Sequence, residues 1–437
     1  MSQPRQLHLF ASGSARAARL WRHPGIHNDT PSLRRELIEK AHIAEKAKFD
    51  GMFFADVHNY GPRDTWGYKL PEDFEPFTTA AALSFVTERL GLAITGSTTL
   101  QAPYHVARQL LSLDHLNGGR TGWNVVTSFS QAAADNIGAQ PLASHDERYA
   151  MADEALDVVK KLWDSWDDDT IIEDRKSGVF QDVDKIYVPD HHGAYYDAKG
   201  PIGARRSPQG QPVIFQAGSS PTGSAFAARH AEVIFTAHGA VDQAVAFADQ
   251  VQKTALAAGR PRRPLITPAL QVTVGSTDAE AKAAEREVYE YFSPEFQARW
   301  LLEFEIDVTH APLDGPVPES AFPDATSGHQ TALAGYRKLA AESSTVREFL
   351  FRTGSHWGAR STGSAEQIAD TIQDWFESGA IDGFVVGTSG LPGQLRAFAE
   401  QVVPLLQERG LFRREYTGHT LRDHLGLEAP INRNRVS

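Results

Sequence analysis

The sequence predicts an α/β fold, a closed (β/α)8 barrel with long insertions, on three observations. Short apolar runs of strand length alternate with helix-patterned segments along most of the 437 residues. Eight such units can be counted, and alternation at that number favours a parallel sheet that closes on itself. The loop after the first run, ASGSARAARLW, lacks the glycine spacing of a dinucleotide-binding turn, which weighs against a doubly wound open sheet.

The first strand is the apolar run Leu7–Phe10. A helix is expected from about Ser32 to Lys48, because Leu33, Leu37, Ile38, Ala41, Ala44 and Ala47 recur at helical spacing behind Pro31 and Ser32. GMFFAD is the second strand and ends at Asp56. Helix Phe77–Val86 leads to strand three, Leu90–Thr95. Helix His105–Leu116, closed by an Asn-Gly-Gly turn, leads to strand four, Gly122–Val126. A long helix near His145–Trp166 precedes strands five and six, Val213–Gln216 and Val233–Thr236. Helix Val241–Ala258 precedes strand seven, Leu265–Val274, and strand eight, Gly383–Val386, is backed by helix Gln394–Glu408. Two stretches exceed ordinary barrel connections: 167–211, where HHGAYYDAKGPIGA suggests hairpins, and 287–365. The expected organisation is one barrel domain over 1–437 with these two insertions.

Composition narrows the function. With 41% hydrophobic and 22% charged residues the chain is ordinary globular protein, which excludes disorder, collagen and coiled coil. No apolar run has membrane length, and the N-terminus has no signal-peptide core. Zero cysteines exclude disulfides, zinc–thiolate sites, iron–sulfur clusters and a cysteine nucleophile. A net charge of −12 with scattered basic residues excludes a phosphate-backbone surface, so no nucleic-acid partner is expected. The profile is that of a soluble, cytoplasmic enzyme or ligand binder.

Reactive groups of a βα barrel sit at the C-terminal ends of its strands. Those ends present Asp56, Thr95, Asn124 to Thr127, Gln216 to Ser220 and His238. They offer no carboxylate pair for glycoside hydrolysis, and the chain has neither HExxH nor GxSxG, so no catalytic metal or serine nucleophile is expected. In QAGSSPTGSAFAARHAE a strand ends in small residues and a helix begins. Unsatisfied N–H groups there favour an anion, although the same serines would also serve as a plain helix cap. In LNGGRTGWNVVTS, Asn124 lies inside a barrel strand and needs a hydrogen-bond partner that a heteroaromatic ring could supply.

GGRTGWNVVTS resembles the signature of the flavin-dependent monooxygenases related to nitrilotriacetate monooxygenase, within the bacterial-luciferase-like superfamily. The resemblance continues in order through LHLF…WRHP, AEKAKFDGMFFAD, LGLAITGSTT, YHVARQLLSLDHLNGGR, HDERY and QAGSSPTG, and is most specific over 90–222. It implies a TIM-like, luciferase-like barrel that binds reduced FMN (FMNH2) delivered by a separate NAD(P)H:flavin reductase. Dioxygen would then form a flavin peroxide that oxygenates a small organic substrate of the sulfone, amine, alkane or halogenated aromatic class. By the same resemblance Asp56, Thr95, Asn124, His145, Tyr149 and Ser220 fall on FMN-contacting positions, with Ser219 beside them. The chemistry of the residues agrees. Ser219 and Ser220 at a helix start suit the phosphate, and His145 and Tyr149, four apart on a helix, share one face.

For the substrate side, His23 and His310 are the candidates for holding or protonating the oxygen adduct, since an imidazole titrates near neutrality. The segment around His310 departs from the Ser-Gly-Tyr-type sequence common in the family. Trp66, Tyr68 and Phe10 are candidates for an apolar pocket, and the insertion from 287 is expected to form a lid that presents His310. A homodimer or homotetramer is expected. Two alternatives are a deazaflavin-dependent oxidoreductase and a non-catalytic flavin-binding barrel. The WNVVTS signature weighs against the first, and retention of the FMN-contact positions against the second.

Overall fold

Eight apolar runs form one closed parallel sheet in the computed structural model of the chain, which describes residues 5–14, 20–60, 63–68, 70–138, 141–218, 220–324, 330–354 and 358–435. The strands are β1 (His8–Ser12), β2 (Gly51–Phe54), β3 (Gly91–Ser97), β4 (Thr121–Val126), β5 (Val213–Gln216), β6 (Val233–Thr236), β7 (Leu265–Val274) and β8 (Gly383–Thr388). Each pairs in parallel with its sequence neighbour, except that β8 lies between β7 and β1. The β6–β7 and β8–β1 pairings close the ring.

The two-residue period of a strand decides what fills the barrel. Phe10, Phe53, Ala93, Phe215, Phe235 and Val385 point inward and form an apolar interior. Phe10 meets Phe215 edge-on at 5.4 Å, and Phe53 stacks on Phe235 at 5.1 Å. Gly122 makes room for this packing, because a Cβ there would lie 2.5 Å from the Phe215 ring. Phe10 is therefore barrel core, not pocket wall as expected from sequence: it is completely buried. One layer further up each strand the inward residues turn polar: Ser12 on β1, Thr95 on β3, Asn124 on β4 and Gln271 on β7.

Helices α1 (Thr30–Lys46), α2 (Pro76–Ser84) and α3 (Pro103–Asn117) follow β1 to β3. The fourth connection holds α4 (Gln131–Asn136) and α5 (His145–Trp163), and α6 (Pro221–His230) and α7 (Val241–Ala257) follow β5 and β6. The α1 helix starts earlier than expected, because the Asp29 carboxylate accepts the Ser32 N–H at 2.9 Å and caps it ahead of Pro31. The α3 helix ends as expected, with Gly118 at φ 72°, a left-handed turn that glycine adopts without strain. Trp123 points outward and packs edge-on against Trp163 of α5, its indole N–H donating to Gly96 O.

The lower end is closed by polar clamps and a C-terminal plug. Buried Arg120 donates to the carbonyls of Asn117, Leu90 and Thr87. Leu421 and Leu425, on a short helix near the end of the chain, pack into the barrel interior from below.

Both insertions are present. Residues 167–211 form two short antiparallel hairpins, as expected, and the Glu154 carboxylate on α5 holds the second of them by accepting the N–H groups of Ala194, Tyr195 and Tyr196. After β7 come α8 (Asp278–Tyr291), α9 (Pro294–Trp300), α10 (Gln330–Ala341), α11 (Val346–Gly354) and α12 (Ala365–Glu377). Leu301, Tyr336, Phe349 and Leu350 give this insertion an apolar core separate from the barrel's. One strand was not foreseen: Ala359–Gly363 pairs in parallel with β7 outside the barrel. Among the described residues no helix is long and apolar enough to cross a membrane.

Candidate active site

The polar layer on β3 and β4 is a chain of hydrogen bonds. Asn124 Nδ2 donates to Thr95 Oγ1 at 2.8 Å, and Thr95 Oγ1 donates to Phe54 O on β2 at 2.7 Å. Both side chains are buried. Asn124 Oδ1 is also buried and has no hydrogen-bond partner among the described residues. A buried amide oxygen left open costs free energy unless something outside the chain satisfies it. Next to this pair, the Ser97 and Ser128 hydroxyls share a hydrogen bond of 2.8 Å, with Ser128 at φ 38°.

The turn from β5 to α6 supplies the second part. Ser220 caps α6: its Oγ accepts the Gly223 N–H at 3.1 Å and lies 3.3 Å from His145 Nε2. His145 bonds Asp146 through Nδ1 at 2.9 Å, and Asp146 in turn accepts from the Thr222 hydroxyl. Tyr149, one helical turn along α5, brings its hydroxyl to within 3.5 Å of Gln216 Nε2, and burial raises its pKa above the usual phenol value. Gln216 Oε1 accepts the Gly218 N–H at 2.7 Å and so shapes the turn. A Cβ at Gly218 would lie 2.4 Å from Gln216 Nε2 and 2.6 Å from Tyr149 Oη. A larger residue there would have to push these two side-chain ends aside.

Asp56 stands at the end of β2, half-buried. Its carboxylate accepts the Val57 N–H at 2.9 Å and pairs with His58 Nε2 at 3.2 Å, while burial raises its pKa above the usual carboxylate range. The same loop is tied to the fourth connection, since Asn59 Nδ2 donates to Ser130 Oγ and Asn136 Nδ2 to His58 O.

Over β7, β8 and β1, and reaching the loop after Asp56 at Val57–Tyr60, lies a cavity of about 1100 Å³. Its floor is Ser12, Gln271, Thr388 and Ser389, and its roof is Phe296, Trp300 and Glu303 from the insertion. The remaining polar residues of the mouth, Thr95, Asn124, Tyr149 and Ser220, are not part of its wall.

Five of the residues picked from sequence thus gather on β3, β4, α5 and the β5–α6 turn: Thr95, Asn124, His145, Tyr149 and Ser220. Asp56 stands on the neighbouring β2 end. Ser219 lies outside the described residues, as does the Tyr68 side chain. The two substrate-side histidines are placed elsewhere. His23 accepts the Gly25 N–H through Nδ1 and bonds Glu287 of α8 through Nε2 at 2.9 Å, so both ring nitrogens are engaged. His310 is exposed, and neither histidine lines the mouth cavity. Two polar residues of the mouth were missed, Gln271 and Ser389, and Gln216 was picked out at its strand end without a role. The readable signal was a single amide inside an apolar strand, in VIFQ and in LITPALQVTV.

A family model described as luciferase-like monooxygenase matches residues 19–382. The chain is 39% identical to N-acetyl-S-(2-succino)cysteine monooxygenase of Bacillus subtilis (strain 168), with 98% of each chain covered. It is 38% identical to nitrilotriacetate monooxygenase component A of Aminobacter aminovorans, with 94% of each covered. Among solved structures, a riboflavin lyase crystallised with modified FMN and riboflavin superposes with a TM-score of 0.85 at 33% identity, covering 98% of this chain and 97% of the other.

Proposed function

Because the chain belongs to the luciferase-like monooxygenase family, we propose that the cluster on β3, β4, α5 and the β5–α6 turn is its site for reduced FMN. The protein is a flavin-dependent monooxygenase, and the bound flavin supplies the activation of dioxygen by which one oxygen atom enters a small organic substrate. The observation that carries the assignment is the open Asn124 Oδ1, a buried acceptor with no donor among the described residues, together with the glycine turn at a helix start. An isoalloxazine ring carries the N–H that such an acceptor lacks. A phosphate suits the α6 N-terminus, where the Ser220 hydroxyl meets an anion and the helix dipole favours it.

In this reading Thr95 and Asn124 orient the ring, Asp56 contributes a polar contact at the β2 end, and His145, Tyr149, Ser219 and Ser220 hold the phosphate end. His145 reaches Ser220 directly and can carry a proton toward the phosphate oxygens. Phe296 and Trp300 roof the adjacent cavity and keep water from the reacting centre.

The name of one relative, component A, speaks of a second component, and the chain has no dinucleotide fingerprint. A separate NAD(P)H:flavin reductase therefore supplies the reduced flavin. The reading also places the protein in the cytoplasm, as a homodimer or homotetramer.

The test is to add FMN, NADH and an independent flavin reductase to the purified protein and follow flavin binding and oxygen use. Reduced FMN is expected to bind and to be retained through gel filtration under anaerobic conditions. Absence of any reduced-flavin binding would overturn the assignment.

A further inference from the structure

The polar layer that caps the aromatic interior has a second half, away from Thr95 and Asn124. On β7, Gln271 pairs in register with Gly387 of β8, one alternation above inward-facing Val385, so its side chain faces the mouth. A Cβ at Gly387 would lie 2.3 Å from Gln271 Nε2. The glycine therefore leaves the carboxamide its place across the strand pair. Ser12, one alternation above Phe10 on β1, lies in the same floor. Ser389, just past β8, has its Oγ shielded from solvent.

Two of these groups are open. Among the described residues Ser389 Oγ is buried without a partner, and the Gln271 carboxamide has none. Polar groups placed at the base of a large cavity and left open are the usual means by which a mostly apolar site orients a ligand. Apolar side chains, Leu20, Ile26, Phe296 and Trp300, share the wall of the cavity with polar and charged ones, Glu72 and Glu303 among them. The basic side chains along its outer α1 wall are engaged: Lys40 with Glu36 at 2.8 Å, Arg396 with Glu39 at 2.7 Å, and Arg35 with the Ser32 hydroxyl. What the floor offers is uncharged: one amide N–H2 and hydroxyl donors.

We propose that Gln271 and Ser389 form the substrate-orienting end of the cavity, which takes an uncharged molecule with an apolar body and a hydrogen-bond-accepting oxygen. The amide of Gln271 and the hydroxyl of Ser389 donate to that oxygen, and Phe296 and Trp300 cover the apolar body. This assignment rests on the flavin site lying over β3, β4 and β5. It makes Gln271 and Ser389 residues of substrate choice, not of flavin binding.

The test uses matched probes that differ in the acceptor: fluorenone against fluorene, dibenzothiophene sulfone against dibenzothiophene, cyclohexanone against cyclohexane. Binding to the FMN-loaded protein is measured by calorimetry, and FMN affinity by a separate titration. At least one acceptor-bearing probe is expected to bind about tenfold more tightly than its partner, the discrimination of one or two well-made hydrogen bonds. Gln271→Leu is expected to abolish that preference, and Ser389→Ala, which removes a single atom, to reduce it by about threefold. Both variants should bind FMN as the parent does. The proposal is overturned if no acceptor-bearing probe is preferred, or if the preference survives in both variants. It is equally overturned if the variants lose FMN affinity while keeping the preference, since the two groups then serve the flavin. Failure of the parent protein to bind FMN in its own titration is a different result and defeats the flavin site itself.

Discussion

Ser220 holds two positions at once, the cap of α6 and the partner of His145, and both can be tested by charge. Its Oγ accepts from Gly223 N and meets His145 Nε2. Ser220→Asp keeps a capping acceptor, so the helix should survive, but it brings a carboxylate to the anion position. Reduced FMN is expected to bind at least about tenfold more weakly, because like charges a few ångströms apart in a partly buried site repel. An anaerobic fluorescence titration that finds unchanged affinity in a folded Ser220→Asp protein would remove the phosphate from this turn. A second residue speaks of stability. His424 lies near the barrel bottom, with Asp50, Arg413, Asp423, the Gly418 backbone and the Tyr416 ring around it. Burial, the largest influence, holds its pKa down to about 4 from the ordinary 6.5. Between those values the unfolded chain takes up a proton that the folded one refuses, so stability that is full above pH 6.5 falls as the pH drops. The loss reaches about 3 kcal/mol near pH 4. Urea unfolding at pH 7 and pH 5 should show the decline, and His424→Gln should flatten it. The residues of the flavin site were legible as residue types at strand ends and through family resemblance. Gln271 and Ser389 were not, because a lone amide in a strand or a serine in a turn reads the same whether or not its partner is missing.

Short elements carry the mouth of the barrel, and they were the hardest to read. Strands β5, β6 and β7 matched their expected limits because Gly, Pro or a charged turn bounds each apolar run. Strands β3 and β8 run further than expected, to Ser97 and Thr388, since polar residues that close a strand and feed the site look like loop. The Ala359–Gly363 strand was missed for a related reason: ARSTG carries no apolar alternation, and its place is set by pairing with β7. At this scale two outcomes are expected. Gly218→Val inserts a side chain where Gln216 and Tyr149 leave no room, at 2.4 and 2.6 Å, so FMN affinity should fall by about tenfold or more with the circular dichroism spectrum unchanged. The α9 helix roofs the cavity through Phe296 and Trp300, so Trp300→Ala should admit water. The ratio of hydrogen peroxide released to product formed is then expected to rise about threefold, read by a peroxide assay beside product chromatography. An unchanged ratio would move the shielding role to another part of the insertion.

For the whole molecule, the alternation of eight strands with helices was enough to expect a closed parallel barrel, and the ring of pairings is as counted. What fills the space after β7 was less legible, because α9, α10 and α11 pack on one another around Leu301, Tyr336 and Phe349, and periodicity says nothing of which helix meets which. The absence of a dinucleotide fingerprint leads to a prediction at this scale. The pure protein should oxidise NADH no faster than buffer, and added flavin reductase should restore the rate. Robust NADH consumption by the protein alone, followed at the nicotinamide absorbance band, would contradict the two-component assignment.

The ring joins the first strand to the last: His8–Ala11 of β1 pair with Gly383–Val386 of β8, and Leu421 and Leu425 then stopper the lower opening. A ribosome delivers these parts in sequence, at about 5 to 20 residues per second. Residues 8–11 therefore wait tens of seconds for their partner, and the hydrophobic lumen stays unsealed until Leu421 and Leu425 have been made. A nascent chain stopped before Leu421 should present that lumen to chaperones as an open funnel, so loss of those two leucines would be as harmful to this protein as damage to its active site.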